Sequence, residues 1–566
     1  MKTTKSKRWK QLSILTLCLL TCLLFAVGCK NNKDSLPTSQ APHEHTLRKV
    51  YERDATCLQD GCVTHWECTG CGQYFLDAIG KTTATYDEVF CEKLDHSLVK
   101  TDAVSANCDH DGSKEFWTCS SCGKLFADAN GAKETSKKEL KIPAKAHSLT
   151  HVSRVEVNGR QNGVKEHWFC SSCEGYFADD KGEEKIEEED TILFSLLNVP
   201  DFLVEIPTGR DPIILQLTDT QIIDAGQARV GRTGIDKNFW ATGNMDERCF
   251  NYLREIVTAT NPDFIIVTGD IVYGEFDDNG TALQKFIAVM ESFQIPWSPI
   301  FGNHDNESKM GVDWQCKQFE NAEYCLFEQK QLSGNGNYSV GIAQGGELKR
   351  VFYMLDTVYC GNASSESLSN GHTYNDRIGF QDDQRQWYKK EINLIKELSP
   401  STKISFAYHI QQSIFINVLA QYGYSASQKP NIVISSLPNR NVGDFGYIAA
   451  NIENPWDHNG AVYREMKALG VDSVFVGHEH SVSASIVYEG IRFQFGQKSS
   501  EYDCYNYVDA NGKICQTQYT SHPAGTTPLI GGSVVVLDKN SGAISNAYIY
   551  YCNNAGGQID WSTFGN

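Results

Sequence analysis

Five short apolar segments of the sequence run directly into residues that can bind a metal ion. The segments are rich in Val, Ile, Leu and Phe, a composition typical of buried strands. The polar residues that follow them are Asp219, Asp270, Asn303-His304-Asp305, His409 and His478-Glu479-His480. Because ligands gather beyond the carboxyl ends of strands in open α/β sheets, we expect these side chains to meet at one sheet edge. Their carboxylate, amide and imidazole groups predict a metal site.

A site with such ligands could hydrolyse a phosphate ester if it held two metal ions. Two divalent ions about 3.5–4 Å apart can polarise a phosphoryl oxygen and activate the attacking water. A carboxylate placed between the ions offsets their mutual repulsion. Imidazole ligands favour zinc, iron or manganese over magnesium. The ligand types thus favour divalent transition metal ions, Mn, Fe or Zn, and the family resemblance described next implies two of them.

The order of these motifs resembles that of the calcineurin-like metallophosphoesterase superfamily, over roughly residues 211–566. The resemblance implies a two-metal centre in which Asp270 bridges the ions. It divides the remaining ligands into two sets: Asp219 with His480, and Asn303 with His409 and His478. It also implies that His304 stays unligated as the general acid toward the leaving oxygen, oriented by Asp305.

The first motif departs from the pattern of that superfamily. It normally reads Asp-x-His, whereas this chain has Gln221 in place of the histidine. We include Gln221 among the predicted metal ligands, although an amide oxygen is a poorer donor than imidazole for a transition metal. The segment Gly269–Tyr273 also resembles the Gly-Asp-x-x-Tyr motif of purple acid phosphatases, in which the tyrosinate binds a ferric ion. Tyr273 is thus a candidate extra ligand, and ordinary packing beside the strand end is the alternative.

Helices between the apolar segments must hold the predicted strands in place. Helical patterns cover residues 249–259, 280–292 and 381–398. Their alternation with strands indicates stacked β-α units. The tail is strand-rich at 491–495 and 532–537 and is predicted to complete a second sheet. The expected fold class is α/β, a four-layer α/β/β/α metallophosphoesterase sandwich, with three small β-rich Cys-x-x-Cys repeats N-terminal to it.

A repeat of 51 residues, the spacing between His45 and His96, precedes the predicted phosphoesterase domain. Its three copies keep a histidine, a tryptophan, a Cys-x-x-Cys pair, a phenylalanine and a glycine in register. A unit of this length buries too little apolar surface to be stable alone, so a staple is expected. The residues predicted to bind structural zinc are His45, Cys57, Cys68, Cys71, His96, Cys108, Cys119, Cys122, His147, Cys170 and Cys173.

The Cys-x-x-Cys spacing allows two thiolates to bind one tetrahedral zinc ion, as in zinc ribbons. Within the first two copies, Cys57 or Cys108 would be the third ligand and the histidine the fourth. The third copy has no matching cysteine, with Asn158 and Gly159 near that place, so His167 or water would substitute. Disulfides are the alternative for an exported chain, and we favour zinc. The repeats offer no spare acid or base, which predicts a spacer or binding arm.

Residues 1–29 resemble a bacterial lipoprotein signal peptide. A basic start and an apolar stretch lead to Ala26-Val27-Gly28-Cys29, after which the leader would be cut and Cys29 lipidated. The expected location is the outer face of the bacterial cytoplasmic membrane. The predicted domains are the signal peptide 1–29, a linker 30–42, the zinc-ribbon-like repeats 43–190, a linker 191–210 and the phosphoesterase domain 211–566.

The net charge of the chain restricts its partners. A formal charge of -19 over 566 residues argues against nucleic-acid binding, which needs a basic face. Bound cations would still admit a small phosphorylated molecule or a cell-surface phosphate ester as substrate. A protein or the cell wall is the expected partner of the repeats. Two alternatives stay open: a scaffold that keeps the phosphoesterase fold without activity, and zinc capture by the repeats with the enzyme secondary.

Overall fold

The computed structural model describes residues 44–227, 245–357, 363–364, 367–368, 379–425, 427, 432–452, 460–502, 504, 506–516 and 525–555. The predicted leader and Cys29 lie outside these ranges. The described chain forms two compact units: residues 44–151 with 168–186, and residues 152–167 with 187–555. The domain boundaries proposed from the sequence stay predictions. No helix among the described residues is long and apolar enough to cross a membrane.

The copies of the repeat form small antiparallel sheets. In the first copy the strands are, in spatial order, Leu47–Val50, His65–Cys68, Tyr74–Phe75 and Thr83–Ala84. In the second copy they are Leu98–Thr101, Phe116–Cys119, Leu125–Phe126 and Glu134–Thr135. The strands of the third copy are Leu149–Val152, His167–Cys170, Gly175–Phe177 and Lys185–Ile186. The register also repeats, since Leu47 faces Cys68 and Leu98 faces Cys119.

Short strand pairs and helices complete these copies. The pairs are Gly61–Cys62 with Phe90–Cys91, Gly112–Ser113 with Lys141–Ile142, and Gly163–Val164 with Ile192–Leu193. The helices Tyr86–Val89 and Lys137–Leu140 each begin with a capping box, in which a Glu three residues after the cap bonds back to it. The predicted β-rich character of this region is confirmed.

The second unit is built on two large sheets, of which one has five strands among the described residues. Their spatial order is Trp297–Ile300, Phe264–Thr268, Ile213–Leu217, Gly531–Leu537 and Ile544–Tyr551. The first three strands run parallel to one another. Gly531–Leu537 pairs antiparallel with both of its neighbours, Ile213–Leu217 and Ile544–Tyr551. The parallel strands are almost entirely buried, as their continuous apolar sequences predict.

The other sheet has nine strands in the part of the chain that the structure describes. Their spatial order is Phe202–Glu205, Tyr338–Gln344, Glu347–Met354, Lys403–Ala407, Val471–Val476, Ile491–Phe495, Val482–Tyr488, Phe445–Ile448 and Ile432–Val433. Its four central strands, from Glu347–Met354 to Ile491–Phe495, are parallel. A small sheet of Ile514–Gln516, Asn506–Val508 and Thr527–Pro528 lies beyond them in the chain.

Helices cover both large sheets, and the sheets share one apolar core. Met245–Thr260 packs on the five-stranded sheet, and Ile414–Ala420 and Ala461–Leu469 pack on the nine-stranded sheet. The other helices longer than one turn are Thr281–Ser292, Val312–Glu320 and Asp382–Leu398 among the described residues. Gln216 Nε2 of the smaller sheet donates to the carbonyl of Val476 in the larger one at 3.0 Å. The predicted α/β/β/α sandwich is confirmed.

Candidate metal centre

Two groups of metal-binding side chains share one carboxylate at the ends of the strands. The first group is Asp219, Asp270 and His480, and the second is Asp270, His409 and His478. In each group the ligand atoms lie within 4.8 Å of one another. A carboxylate common to both groups is the arrangement that a pair of bridged cations requires.

The ends of strands from both sheets place these residues. Asp219 follows Ile213–Leu217, and Asp270 follows the neighbouring parallel strand Phe264–Thr268. His409 and His478 follow two parallel strands of the nine-stranded sheet. The centre therefore lies where the carboxyl ends of the two sheets meet.

The backbone approaches the centre so closely that glycine is required beside it. A Cβ atom on Gly302 would lie 2.2 Å from the backbone nitrogen of Asp270, and one on Gly477 would lie 2.2 Å from Thr218 Oγ1. Asp270 itself has a left-handed φ of 49°, and Asp219 has one of 53°. Such a conformation costs about 1–3 kcal/mol per residue and is found mainly at functional sites.

His409 is oriented so that its Nε2 faces the other ligands of the centre. Its Nδ1 lies 2.7 Å from the carbonyl oxygen of Thr268, which can only accept, so Nδ1 carries the proton. Its Nε2 lies 3.2 Å from Asn303 Oδ1 and 3.4 Å from Asp270 Oδ2. Burial would lower the pKa of the ring, but the charge of Asp270 raises it to about 9, so a bound cation would replace the proton on Nε2. The contact of Nδ1 with a backbone carbonyl is one that metal-binding histidines commonly make through their other ring nitrogen. The residues present therefore fit a pair of divalent cations.

The two buried carboxylates are ionised. Burial would raise the pKa of Asp219, but its hydrogen bond to His480 and the charges of the nearby imidazoles lower it to about 2. Burial would likewise raise the pKa of Asp270, but the charges of His409 and His304 hold it below its ordinary value. Both groups are thus ready to receive cations.

The carboxylate that contacts His304 is Glu307 and not the predicted Asp305. Glu307 Oε2 lies 3.0 Å from His304 Nδ1, and both side chains are mostly buried. Asp305 instead accepts hydrogen bonds from the backbone N–H groups of Val272 and Gly302, at 2.9 and 2.7 Å. Asp305 therefore shapes the loop, and Glu307 is the carboxylate placed to orient the His304 ring.

Tyr273 stacks on the ring of His304. The ring centroids lie 4.1 Å apart, with 26° between the planes. The Tyr273 ring thus packs against the predicted general acid, which was the alternative to ligation that the sequence left open.

Gln221 also differs from its predicted role as a ligand. Its side-chain oxygen accepts a hydrogen bond from Lys498 Nζ at 2.8 Å, and the same ammonium donates to the carbonyl of Asp219. An ammonium group at this oxygen competes with a cation for the same lone pairs. Its Nε2 has no hydrogen-bond partner among the described residues. Lys498 was overlooked because nothing near it in the sequence marks it as part of the centre.

The repeat cysteines and histidines form three further groups. These are His45 with Cys68 and Cys71; Cys57 with His96, Cys119 and Cys122; and Cys108 with His147, Cys170 and Cys173. The expected grouping within single copies differs from this, since Cys57 and Cys108 each join the group of the following copy. His167, the predicted substitute in the third copy, contacts the carbonyl of Lys165 at 2.8 Å.

Comparisons with known proteins agree with this geometry. The family model for calcineurin-like phosphoesterases matches residues 213–482, a range that contains every predicted ligand of the centre. Phosphatase DCR2 of Saccharomyces cerevisiae is 22% identical over 238 residues, covering 42% of this chain and 39% of the relative. Probable inactive purple acid phosphatase 29 of Arabidopsis thaliana is 23% identical over 245 residues, covering 40% of this chain and 57% of the relative.

The chain thus spans less than two thirds of the length of these relatives. Among solved structures, a dimetal phosphatase from Danio rerio aligns with 61% of this chain and 99% of its own, with a TM-score of 0.32 and 11% identity.

Proposed function

Residues 213–482 are a calcineurin-like phosphoesterase domain, and from this premise we propose that the chain hydrolyses phosphate esters at a two-metal centre. The observation that carries the proposal is the shared carboxylate of Asp270, which belongs to two converging ligand groups. The substrate that we propose is a small phosphorylated molecule or a phosphate ester of the cell surface.

Each residue of the centre has a definite part in this proposal. Asp219 and His480 would hold one cation, and His409 and His478 the other, with Asn303 beside His409. Bound there, two divalent ions of Mn, Fe or Zn would polarise the phosphoryl oxygen and supply the nucleophile.

His304 would protonate the leaving oxygen. Its backbone N–H donates to Asp270 Oδ1 at 2.8 Å, which places the ring beside the centre. Glu307 engages Nδ1, so that the proton would pass to the substrate from Nε2. The stacked ring of Tyr273 limits rotation of the imidazole.

A second candidate function, a scaffold that has the fold but little activity, is favoured by one contact. The ammonium of Lys498 contacts the side-chain oxygen of Gln221, the residue that replaces the histidine of the first motif, and its charge would weaken the binding of a cation at Asp219. A relative whose name describes it as probably inactive supports the same alternative.

Metal content and hydrolysis measured together would separate the two functions. Purified full-length protein would be stripped with a chelator, reloaded with Mn, Fe or Zn, and assayed on aryl phosphates, nucleotides, phospholipid headgroups and cell-wall phosphates. We expect two ions at this centre, beyond those that the repeat cysteines hold, together with hydrolysis. Asp270→Asn should lose both of these ions and the hydrolysis, because the bridging carboxylate serves both ions. Two ions that depend on Asp270, without hydrolysis of any ester, would favour the scaffold. An active Asp270→Asn protein with the same metal content as the wild type would contradict the site.

The location of the protein is a separate proposal. We propose that the chain is exported and anchored by lipid at Cys29, on the motif Ala26-Val27-Gly28-Cys29. Stable anchoring takes more than one acyl chain. Labelling with a fatty-acid analogue should depend on Cys29, and full labelling of Cys29→Ala would contradict the proposal.

A further inference from the structure

Two groups of three cysteines and one histidine each span consecutive copies of the repeat. Their members are Cys57, His96, Cys119 and Cys122 in one group, and Cys108, His147, Cys170 and Cys173 in the other. In each group the first cysteine belongs to the copy before the other three residues. We propose that each group binds one zinc ion, so that a metal fastens each copy of the repeat to the next.

The separations of the ligand atoms fit a tetrahedral zinc ion. With Zn–S bonds of about 2.3 Å and Zn–N bonds of about 2.0–2.1 Å, the S–S edges measure about 3.8 Å and the S–N edges about 3.5–3.6 Å. Cys57 Sγ lies 3.8 Å from Cys119 Sγ, and Cys122 Sγ lies 3.6 Å from His96 Nδ1. The corresponding distances in the second group are 3.6 and 3.5 Å. All these cysteines are free thiols, which favours zinc over disulfides.

The turn that carries the first cysteine is tied to the segment that leads into the next copy. At the first junction, Asp60 Oδ1 accepts a hydrogen bond from the backbone N–H of Lys93 at 2.9 Å. At the second junction, Asp111 Oδ1 accepts from the backbone N–H of Ala144, also at 2.9 Å. Because these contacts are equivalent in the repeat, the position of the cysteine over the following site is a property of the repeat itself.

Apolar side chains enclose both groups. Cys57 and Cys119 are buried in one cluster with Phe126 and Trp117. Cys108 lies in the equivalent cluster of the next junction. Several thiolates buried together repel one another unless a cation lies between them. Enclosure with complete tetrahedral ligand sets is typical of structural and not catalytic zinc.

The group in the first copy is smaller. His45, Cys68 and Cys71 are its three members among the described residues, and Cys71 Sγ lies 3.5 Å from His45 Nδ1. Three protein ligands bind zinc less tightly than four. We therefore expect two tight zinc sites and one weaker site in the repeats.

Cobalt titration of the reduced, full-length protein tests which copy each cysteine serves. Thiolate-to-cobalt charge transfer reports only on sites with cysteine ligands, and the phosphoesterase ligand groups contain none. We expect Cys57→Ser and Cys119→Ser to weaken the same equivalent of cobalt, so that the double variant loses no more than either alone. Losses from Cys57→Ser and Cys68→Ser should instead add. Cys91→Ser, an exposed cysteine outside all three groups, is the matched control and should change nothing.

Two results would overturn the proposal. If Cys57→Ser and Cys68→Ser weaken the same equivalent, the cysteine serves its own copy. If the reduced wild-type protein shows no thiolate-to-cobalt absorption, the groups bind no metal of this kind.

Loading the wild-type protein with ¹¹³Cd gives a readout that needs no variant. We expect one cadmium signal to couple to the Hβ protons of both Cys57 and Cys119. A signal that couples to Cys57 and Cys68 instead would contradict the proposed ligand set, even if a variant failed to fold.

Discussion

Removing the charge of Glu307 should slow the hydrolysis of esters with poor leaving groups more than that of esters with good ones. Its carboxylate lies 3.0 Å from His304 Nδ1, with the two side chains 7% and 13% exposed. A hydrogen bond to a charged group contributes about 1.5–3 kcal/mol. If that contribution is lost where the proton passes to the leaving oxygen, the rate falls about 10- to 150-fold.

Glu307→Gln tests this because the amide keeps the size of the side chain and removes its charge. The assay is kcat/KM over a series of aryl phosphates whose leaving groups range from nitrophenolate, which departs without a proton, to phenolate, which needs one. We expect the full loss for phenyl phosphate and a loss within about threefold for nitrophenyl phosphate. Asp313→Asn, an exposed carboxylate in the helix Val312–Glu320, is the matched control and should leave the series unchanged.

An equal loss across the series would refute the assignment of Glu307. It would mean that the substitution disturbs the centre as a whole and not the proton transfer. Asp305→Asn gives the comparison, because its carboxylate binds backbone N–H groups. We expect that variant to lose stability, seen as a lower melting temperature, and to slow all the esters alike.

Three further predictions concern the surroundings of the centre and the core. Gln221→His alone should not tighten metal binding, because the ammonium of Lys498, which contacts the Gln221 oxygen, would compete for the new ring nitrogen. Gln221→His with Lys498→Ala should tighten metal binding in a calorimetric titration. Tyr273→Phe keeps the stacked ring, so we expect a colourless protein and a change in kcat within about threefold; a visible absorption band lost in the variant would indicate ferric ligation. Arg350→Met removes the bidentate partner of Asp472, at 2.6 and 2.9 Å, and should lower the free energy of unfolding in urea by about 3 kcal/mol.

The sequence predicted the strands and most of the centre because both depend on short local patterns. Continuous apolar runs predict buried strands, and the apolar run before Asp270 forms the buried strand Phe264–Thr268. The helix patterns at 280–292 and 381–398 were also close to the observed Thr281–Ser292 and Asp382–Leu398. Residues that directly follow parallel strands reach the same sheet edge whatever the details of the loops.

The partner of His304 was misassigned because adjacency in the chain is a poor guide to contact. His304 precedes the 3₁₀ helix Asp305–Glu307, in which side chains three residues apart eclipse one another. Glu307 therefore returns to the histidine, whereas Asp305 points toward the backbone of the loop. The contact of Lys498 with Gln221 joins residues from distant strands, and no local pattern carries that information.

The repeat ligands were grouped within single copies because the repeat pattern allows two ways of assigning the first cysteine. Each of Cys57 and Cys108 could serve its own copy or the next one, because both assignments keep the 51-residue repeat between equivalent ligands. The distinguishing signal was the copy without a matching cysteine, near Asn158 and Gly159. An array in which each cysteine serves the following copy needs none in its last member, and that is the member that lacks it.

The two four-ligand groups of the repeats close loops that overlap in the chain, and this overlap would change how the repeats respond to a stretching force. One group links Cys57 to Cys122 and the other links Cys108 to Cys173, so residues 108–122 lie inside both loops. With metal bound, a pull along the chain would reach the metal–thiolate bonds before the strands inside the loops. Opening one loop would release only the part of that loop outside residues 108–122, because the metal of the second loop would still hold the shared segment. We expect the array to lengthen in two separate steps under a stretching force and to lose both steps after chelation.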